Sequence, residues 1–109
     1  MAWLVRDGDV LAAAEVADTG RSRRRGLLGR DSFEGALVLQ PCRHVHTLRM
    51  RFPLDVAFCD REGRVLRTCT LRPWRLAPLV RHAHFVVEAQ EGAFDRWSLH
   101  VGDALEVRR

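Results

Sequence analysis

Apolar positions along this chain come in short runs separated by single Gly or Pro residues and by charged pairs, the spacing of strands joined by tight turns. The clearest run is Leu54-Asp55-Val56-Ala57-Phe58-Cys59, where large apolar side chains alternate with smaller or polar ones, as in a half-buried strand. Asp60-Arg61-Glu62-Gly63 then suits a type I turn closed by Gly63 in the left-handed region. Pairing Asp60 with Arg64 across this turn sets Phe58 opposite Leu66, Val56 opposite Thr68, Leu54 opposite Thr70 and Cys59 opposite Val65. In that register Asp55 lies opposite Cys69, on the face that does not carry Leu54, Val56 and Phe58.

Other runs along the chain follow the same pattern. Ala2 to Arg6 and Val10 to Ala17 flank Asp7-Gly8-Asp9 as a hairpin, the alanine-rich second run being the weaker strand former. Asp18 or Thr19 caps a short helix over Arg21 to Leu28, closed by Gly29, with Leu27 and Leu28 facing the sheet and Arg21, Arg24 and Arg25 facing outward. Further strands are expected over 36–39, 45–50, 83–89 and 104–107, with a loop carrying Trp74 between Pro73 and Pro78 and a helical turn over 92–97. The expectation is a single domain over residues 1–109, mainly β: a compact antiparallel barrel or sandwich with one short N-terminal helix and a helical turn near the C-terminus. Long crossover helices, which a doubly wound fold needs, are missing.

Composition narrows the classes. A chain of 109 residues with 47% hydrophobic and 29% charged residues holds one ordinary globular core. Arg6 and Asp7 interrupt the first apolar run too early for an export leader, and no run reaches the roughly 18 apolar residues of a membrane span, so a cytoplasmic protein without a membrane partner is expected. Cys42, Cys59 and Cys69 are odd in number and not closely paired, which points to reduced thiols. The net charge of +4 comes from 18 arginines, while Lys, Ile, Asn and Tyr are absent. A GC-rich coding sequence produces that bias without selection for a polyanion, so nucleic acid is not the expected partner.

Three groups of residues could carry chemistry. His46, Asp55 and Glu88 offer an imidazole and two carboxylates for general acid and base work if strand packing joins them; the alternative is that Asp55 and Glu88 are paired with arginines such as Arg67 and Arg23. Cys42-Arg43-His44-Val45-His46 would present three metal ligands to one face of an extended segment, and Met50 adds a thioether suited to monovalent copper, although a core role for Met50 is the ordinary one. His82 and His84 repeat the alternate spacing. Trp3, Trp74 and Trp97 are candidates for stacking on a ring, against the commoner role of partly buried core. No nucleophile motif or phosphate-binding Gly-rich loop occurs.

The order of motifs adds a further reading. Ala17-Asp18-Thr19, Arg23-x-x-Gly26-Leu27-Leu28-Gly29-Arg30, His46-Thr47-x-x-Met50, Pro53-Leu54-Asp55-Val56-x-Phe58, Asp60-x-x-Gly63-x-Val65, Glu88-x-x-x-Gly92 and Gly102-Asp103 together resemble the domain of unknown function 192 family over residues 10–107. The resemblance implies a small β barrel or sandwich with one short helix and no established activity. It points at Arg23, Gly26, His46, Met50, Asp55, Glu88 and Gly92, and leaves His44, His82, His84 and the three cysteines outside the pattern. Many relatives carry Leu-Met where this chain has Leu27-Leu28, a core exchange of similar volume. The leading expectation is therefore a module, monomeric or weakly dimeric and without a cofactor, that binds a small ligand or peptide near Arg23, His46, Met50 and Asp55. The rivals are a small hydrolase or isomerase using His46, Asp55 and Glu88, and a metal carrier built on His44, His46 and Met50, with Cys42 as a further ligand.

Overall fold

In the computed structural model, which describes residues 2–109, the elements follow one another as β1 (Ala2–Arg6), β2 (Asp9–Ala17), α1 (Gly20–Arg25), β3 (Ala36–Leu39), β4 (Leu54–Cys59), β5 (Val65–Leu71), β6 (Phe85–Gln90), α2 (Ala93–Trp97) and β7 (Leu105–Arg108). The strands form one sheet in the order β5-β4-β6-β3-β2-β1-β7. Neighbours are antiparallel except β2 and β3, which run parallel because the chain crosses over through α1 between them. The sheet curls until its two ends meet: Val65 N–H donates to the Asp103 carbonyl at 2.8 Å and Leu105 N–H to the Gly63 carbonyl at 2.8 Å. Gly63 permits this seam, since its φ is +89° and an added Cβ would stand 2.0 Å from the Leu105 carbonyl oxygen. Closure at one end removes part of the exposed edge that an open seven-stranded sheet would offer.

The curl makes two cores, one on each sheet face. Leu4, Val38, Ala57, Val87, Phe94 and Leu105 are packed together on one side, where α2 also sits. On the other, Leu37, Val56, Phe58 and Val86 meet Leu27, Met50, Phe52 and Ala77 from the covering segments. The central strands are therefore buried on both faces, and every residue of β4 is buried. The alternation in β4 predicts a half-buried strand; the smaller residues Ala57 and Cys59 in fact pack into the core on the α2 side, beside larger groups such as Leu4, Phe94 and Leu105. No helix among the described residues is long and apolar enough to cross a membrane.

Other differences from the sequence reading have local causes. The Asp60 to Arg64 turn forms as expected, but Leu66 is an extra residue, so that Cys59 opposes Val65 while Phe58 opposes Arg67. The bulge shifts the ladder by one: Asp55 faces Thr70 instead of Cys69, and Val56 faces Cys69 instead of Thr68. Residues 45–50 are not a strand; they turn, keeping only an isolated bridge between His46 and Leu76. Thr19, not Asp18, caps α1, exchanging bonds with Ser22 in a capping box, and the helix stops at Gly26 before Gly29, which lets Leu27 drop into the core.

Candidate functional site

The sheet sorts the candidate residues to opposite sides. Side chains directly opposed across an antiparallel pair share a face, and Glu88 opposes Val56 across β4 and β6. Glu88 therefore lies on the face that carries Val56 and Phe58, whereas Asp55, one residue earlier than Val56, lies on the other. A seven-stranded sheet stands between the two carboxylates, so the trio of His46, Asp55 and Glu88 does not assemble.

Asp55 is committed to structure. Its Oδ2 accepts from Gly92 N–H at 3.0 Å and from Phe94 N–H at 3.1 Å, and its Oδ1 accepts from the Thr70 hydroxyl at 3.0 Å. The N-cap of α2 is Gly92, which has no side chain to satisfy the first amides of the helix, and Asp55 reaches across from β4 to do it. Asp55 therefore does not join Arg23, His46 and Met50: three hydrogen bonds tie its carboxylate to β5 and to the start of α2, at the edge of a separate depression that Thr68, Cys69 and Glu91 also line.

Glu88 is the opposite case. It is 4% exposed, in the middle of β6 between Leu37 and Val56, and makes no ion pair or hydrogen bond to another described residue through its side chain. The expected pairing with Arg23 does not form; the Arg23 guanidinium donates instead to the Asp18 carbonyl at 3.0 Å and the Gln40 carbonyl at 3.4 Å. Burial alone pushes the Glu88 carboxyl up to about 7.

The Glu88 carboxyl forms part of the wall of a 440 Å³ pocket between α1, the 40–50 segment and the sheet. Its apolar lining includes Leu28, Leu39, Met50, Leu54 and Leu79, with Arg23, Arg24, Arg25 and Arg43 bringing cations to it. Gly26 stands beside the carboxyl, for a Cβ there would sit 3.5 Å from Glu88 Oε1. His46 also borders the pocket; its Nδ1 accepts from Leu48 N–H at 3.2 Å, which leaves Nε2 to carry the proton of the neutral ring. Of the residues expected to bind ligand, Arg23, His46 and Met50 line this pocket, together with Glu88 from the catalytic candidates. The sequence reading missed Leu48 and Leu79, exposed apolar residues at its border, and nothing in their local pattern marks them.

The metal candidates line the same pocket but form no ligand set. Among the described residues no three His, Cys, Asp or Glu side chains are grouped so as to hold an ion. The extended segment that would align Cys42, His44 and His46 is replaced by turns, and the Cys42 thiol donates to the His44 carbonyl at 3.2 Å. Burial also raises the Cys42 pKa, which disfavours the thiolate a metal requires. His82 and His84 border a separate, polar surface depression. Trp97 packs against Phe94 with ring centroids 5.6 Å apart, in the core role expected of it, whereas Trp74 is 60% exposed.

The model of the family DUF192, described as "Uncharacterized ACR", matches residues 2–107. The chain is 38% identical over 65 residues to the UPF0127 protein PF1050 of Pyrococcus furiosus, a match covering 60% of this chain and 56% of that one, so that it spans little more than half of that relative. It is 30% identical over 97 residues to the UPF0127 protein PYRAB11210 of Pyrococcus abyssi, covering 84% and 83% of the two chains. Among solved structures, a protein of unknown function from Novosphingobium aromaticivorans superposes with a TM-score of 0.79 at 21% identity, over 96% of this chain and 82% of that one. A putative transcription regulator from Sinorhizobium meliloti superposes with a TM-score of 0.83 at 19% identity, over 97% and 91%. At these identities the two crystal structures speak for the fold alone.

Proposed function

The chain belongs to the DUF192 family, an uncharacterised one, and from that premise we propose that it is a binding module whose ligand occupies the Glu88 pocket. The observation that carries this reading is Glu88 itself. Glu88 has no protein partner, and since no fully buried side-chain oxygen or nitrogen among the described residues lacks one, its oxygens open onto the pocket. A largely buried carboxyl placed so costs stability, and a ligand in the pocket can supply the donor that the fold does not. The complementary ligand brings an N–H, O–H or ammonium group to Glu88, an apolar body to Leu39, Met50 and Leu54, and a negative group to the arginines of the pocket.

A second reading is proton transfer by Glu88, because a carboxyl that titrates near 7 is suited to general acid and base work at neutral pH. It keeps Glu88 and His46 from the enzymatic alternative and drops Asp55. Thermal shift measurements at pH 7 with a panel of small primary amines, amino acids and matched compounds lacking the donor test the binding reading. Donor-bearing compounds are expected to raise the Tm of the protein, and Glu88→Gln is expected to weaken their apparent affinity about tenfold, the effect of losing one charge-assisted hydrogen bond. Equal shifts for matched compounds with and without the donor, or for protein and variant, would count against it.

A further inference from the structure

Charge is segregated on this molecule to an extent that the net charge conceals. Three segments cover the sheet face that carries Glu88: residues 20–30, 40–53 and 72–84, which contribute Leu27, Met50 and Ala77 to one core. Together they hold eleven of the eighteen arginines and none of the fourteen acidic residues. Arg30 and Arg51 are paired with Glu15 and Asp31 from elsewhere. Arg24, Arg43, Arg72, Arg75 and Arg81 are exposed and make no salt bridge to a described residue.

The same segments expose large apolar side chains. Leu48, Trp74, Leu76 and Leu79 are 38%, 60%, 65% and 67% exposed, and Leu48 and Leu79 border the Glu88 pocket. The loops that display them are tied together through Thr47, which is fully buried. Thr47 N–H donates to the Arg75 carbonyl at 2.8 Å, Trp74 N–H to the Thr47 carbonyl at 2.8 Å, and Arg75 N–H to the Thr47 hydroxyl oxygen at 2.9 Å. Trp74 is held there at a φ of +66°, a region that bulky residues avoid. An ordered platform that presents apolar groups among unpaired cations is an interaction surface.

We propose that this face binds an acidic peptide segment of another protein, an apolar side chain of which enters the pocket while an N–H group of the segment donates to Glu88. The inference rests on the pocket being a ligand site, as argued above, and adds the class of ligand. Nucleic acid would meet the arginines and stack a base on Trp74, but would gain little from the three exposed leucines, Leu48, Leu76 and Leu79. A bilayer would cover the apolar groups, but an acyl chain has no donor to offer a buried carboxyl, and a flat surface does not fill a concave pocket. A peptide supplies carboxylates, apolar side chains and N–H donors together.

Selection from a random dodecapeptide phage library on the immobilised protein tests the proposal, with Arg72→Glu/Arg75→Glu/Arg81→Glu as the reversed-charge control. These side chains are exposed, and circular dichroism checks that the variant folds. Peptides selected by the protein are expected to be enriched severalfold in Asp and Glu next to Leu, Phe or Trp. In fluorescence anisotropy they are expected to bind the control, and Leu76→Ser/Leu79→Ser, at least tenfold more weakly, and to lose affinity as salt is raised. Pools without acidic enrichment, or peptides that bind the reversed-charge variant equally well, would overturn the proposal. So would an absence of selected peptides accompanied by binding to vesicles of phosphatidylcholine with phosphatidylglycerol, or to single-stranded DNA. If small donor compounds still distinguish the protein from Glu88→Gln while peptides fail, the pocket reading stands and the peptide assignment falls; if both fail, both fall.

Discussion

Replacing Asp55 with Ala is expected to destabilise the protein by about 3 to 5 kcal/mol, against the 5 to 15 kcal/mol that holds a typical domain folded. The carboxylate accepts three hydrogen bonds, two of them from the amides of Gly92 and Phe94 at the start of α2. Removing it leaves those amides without acceptors in a place that water reaches poorly, and Gly92 has no side chain to replace it. α2 contributes Ala93 and Phe94 to the core inside the curl, so the loss extends beyond one helical turn. Asp55→Asn, which keeps one acceptor oxygen, is expected to cost less than Asp55→Ala. Urea denaturation followed by circular dichroism measures both, and a loss under about 1 kcal/mol for Asp55→Ala would show that the carboxylate is not the cap of α2.

Glu88 is expected to act in the other direction. Its carboxyl titrates near 4.5 in the unfolded chain and at about 7 in the fold, so the folded protein holds a proton that the unfolded chain has already lost. The stability contributed by that proton is fully present below pH 4.5 and disappears as the pH rises through 7. Over that window the protein is expected to lose about 3 kcal/mol from this one group. Glu88→Gln has no charge to bury and is expected to flatten the profile and to be the more stable protein at pH 8. Denaturation midpoints of both proteins between pH 4.5 and 8 are the measurement; parallel profiles would contradict the account. A residue whose removal strengthens the fold and weakens ligand binding is one retained for what it binds.

Much of this architecture was legible in the residues. The strand and turn punctuation locates all seven strands to within a few residues, and Gly63 is identified as the left-handed turn residue that the seam then requires. The face of Asp55, opposite to Leu54, Val56 and Phe58, also follows from period two and survives the shift in register, because the bulge moves the partner strand and not β4 itself. The extra residue at Leu66 was not legible, since a bulge is chosen by how the strand must bend to reach β7.

For the site, the family motifs brought forward Arg23, His46, Met50 and Glu88, which the structure joins in one pocket, and Asp55, which it does not. The register of β6 on β4, which sets Glu88 opposite Val56 and Ala89 opposite Asp55, separates the two carboxylates. Glu88 carried a signal that could have been read differently: Phe85-Val86-Val87-Glu88-Ala89 is apolar on both strand faces, so an acid within it is buried whichever way it points. The border residues Leu48 and Leu79, and the segregation of arginines over one sheet face, depend on loops folding over the sheet from distant parts of the chain.

The decisive measurement is a carbon NMR titration of the Glu88 carboxyl, assigned by comparison with Glu88→Gln. A midpoint at about 7, far above that of the exposed glutamates, is the expected result, and it fits a buried acid that waits for a donor from outside the fold. A midpoint in the ordinary glutamate range near 4.5 would mean that Glu88 is already solvated or paired, and the reading of the pocket as a binding site would lose its foundation.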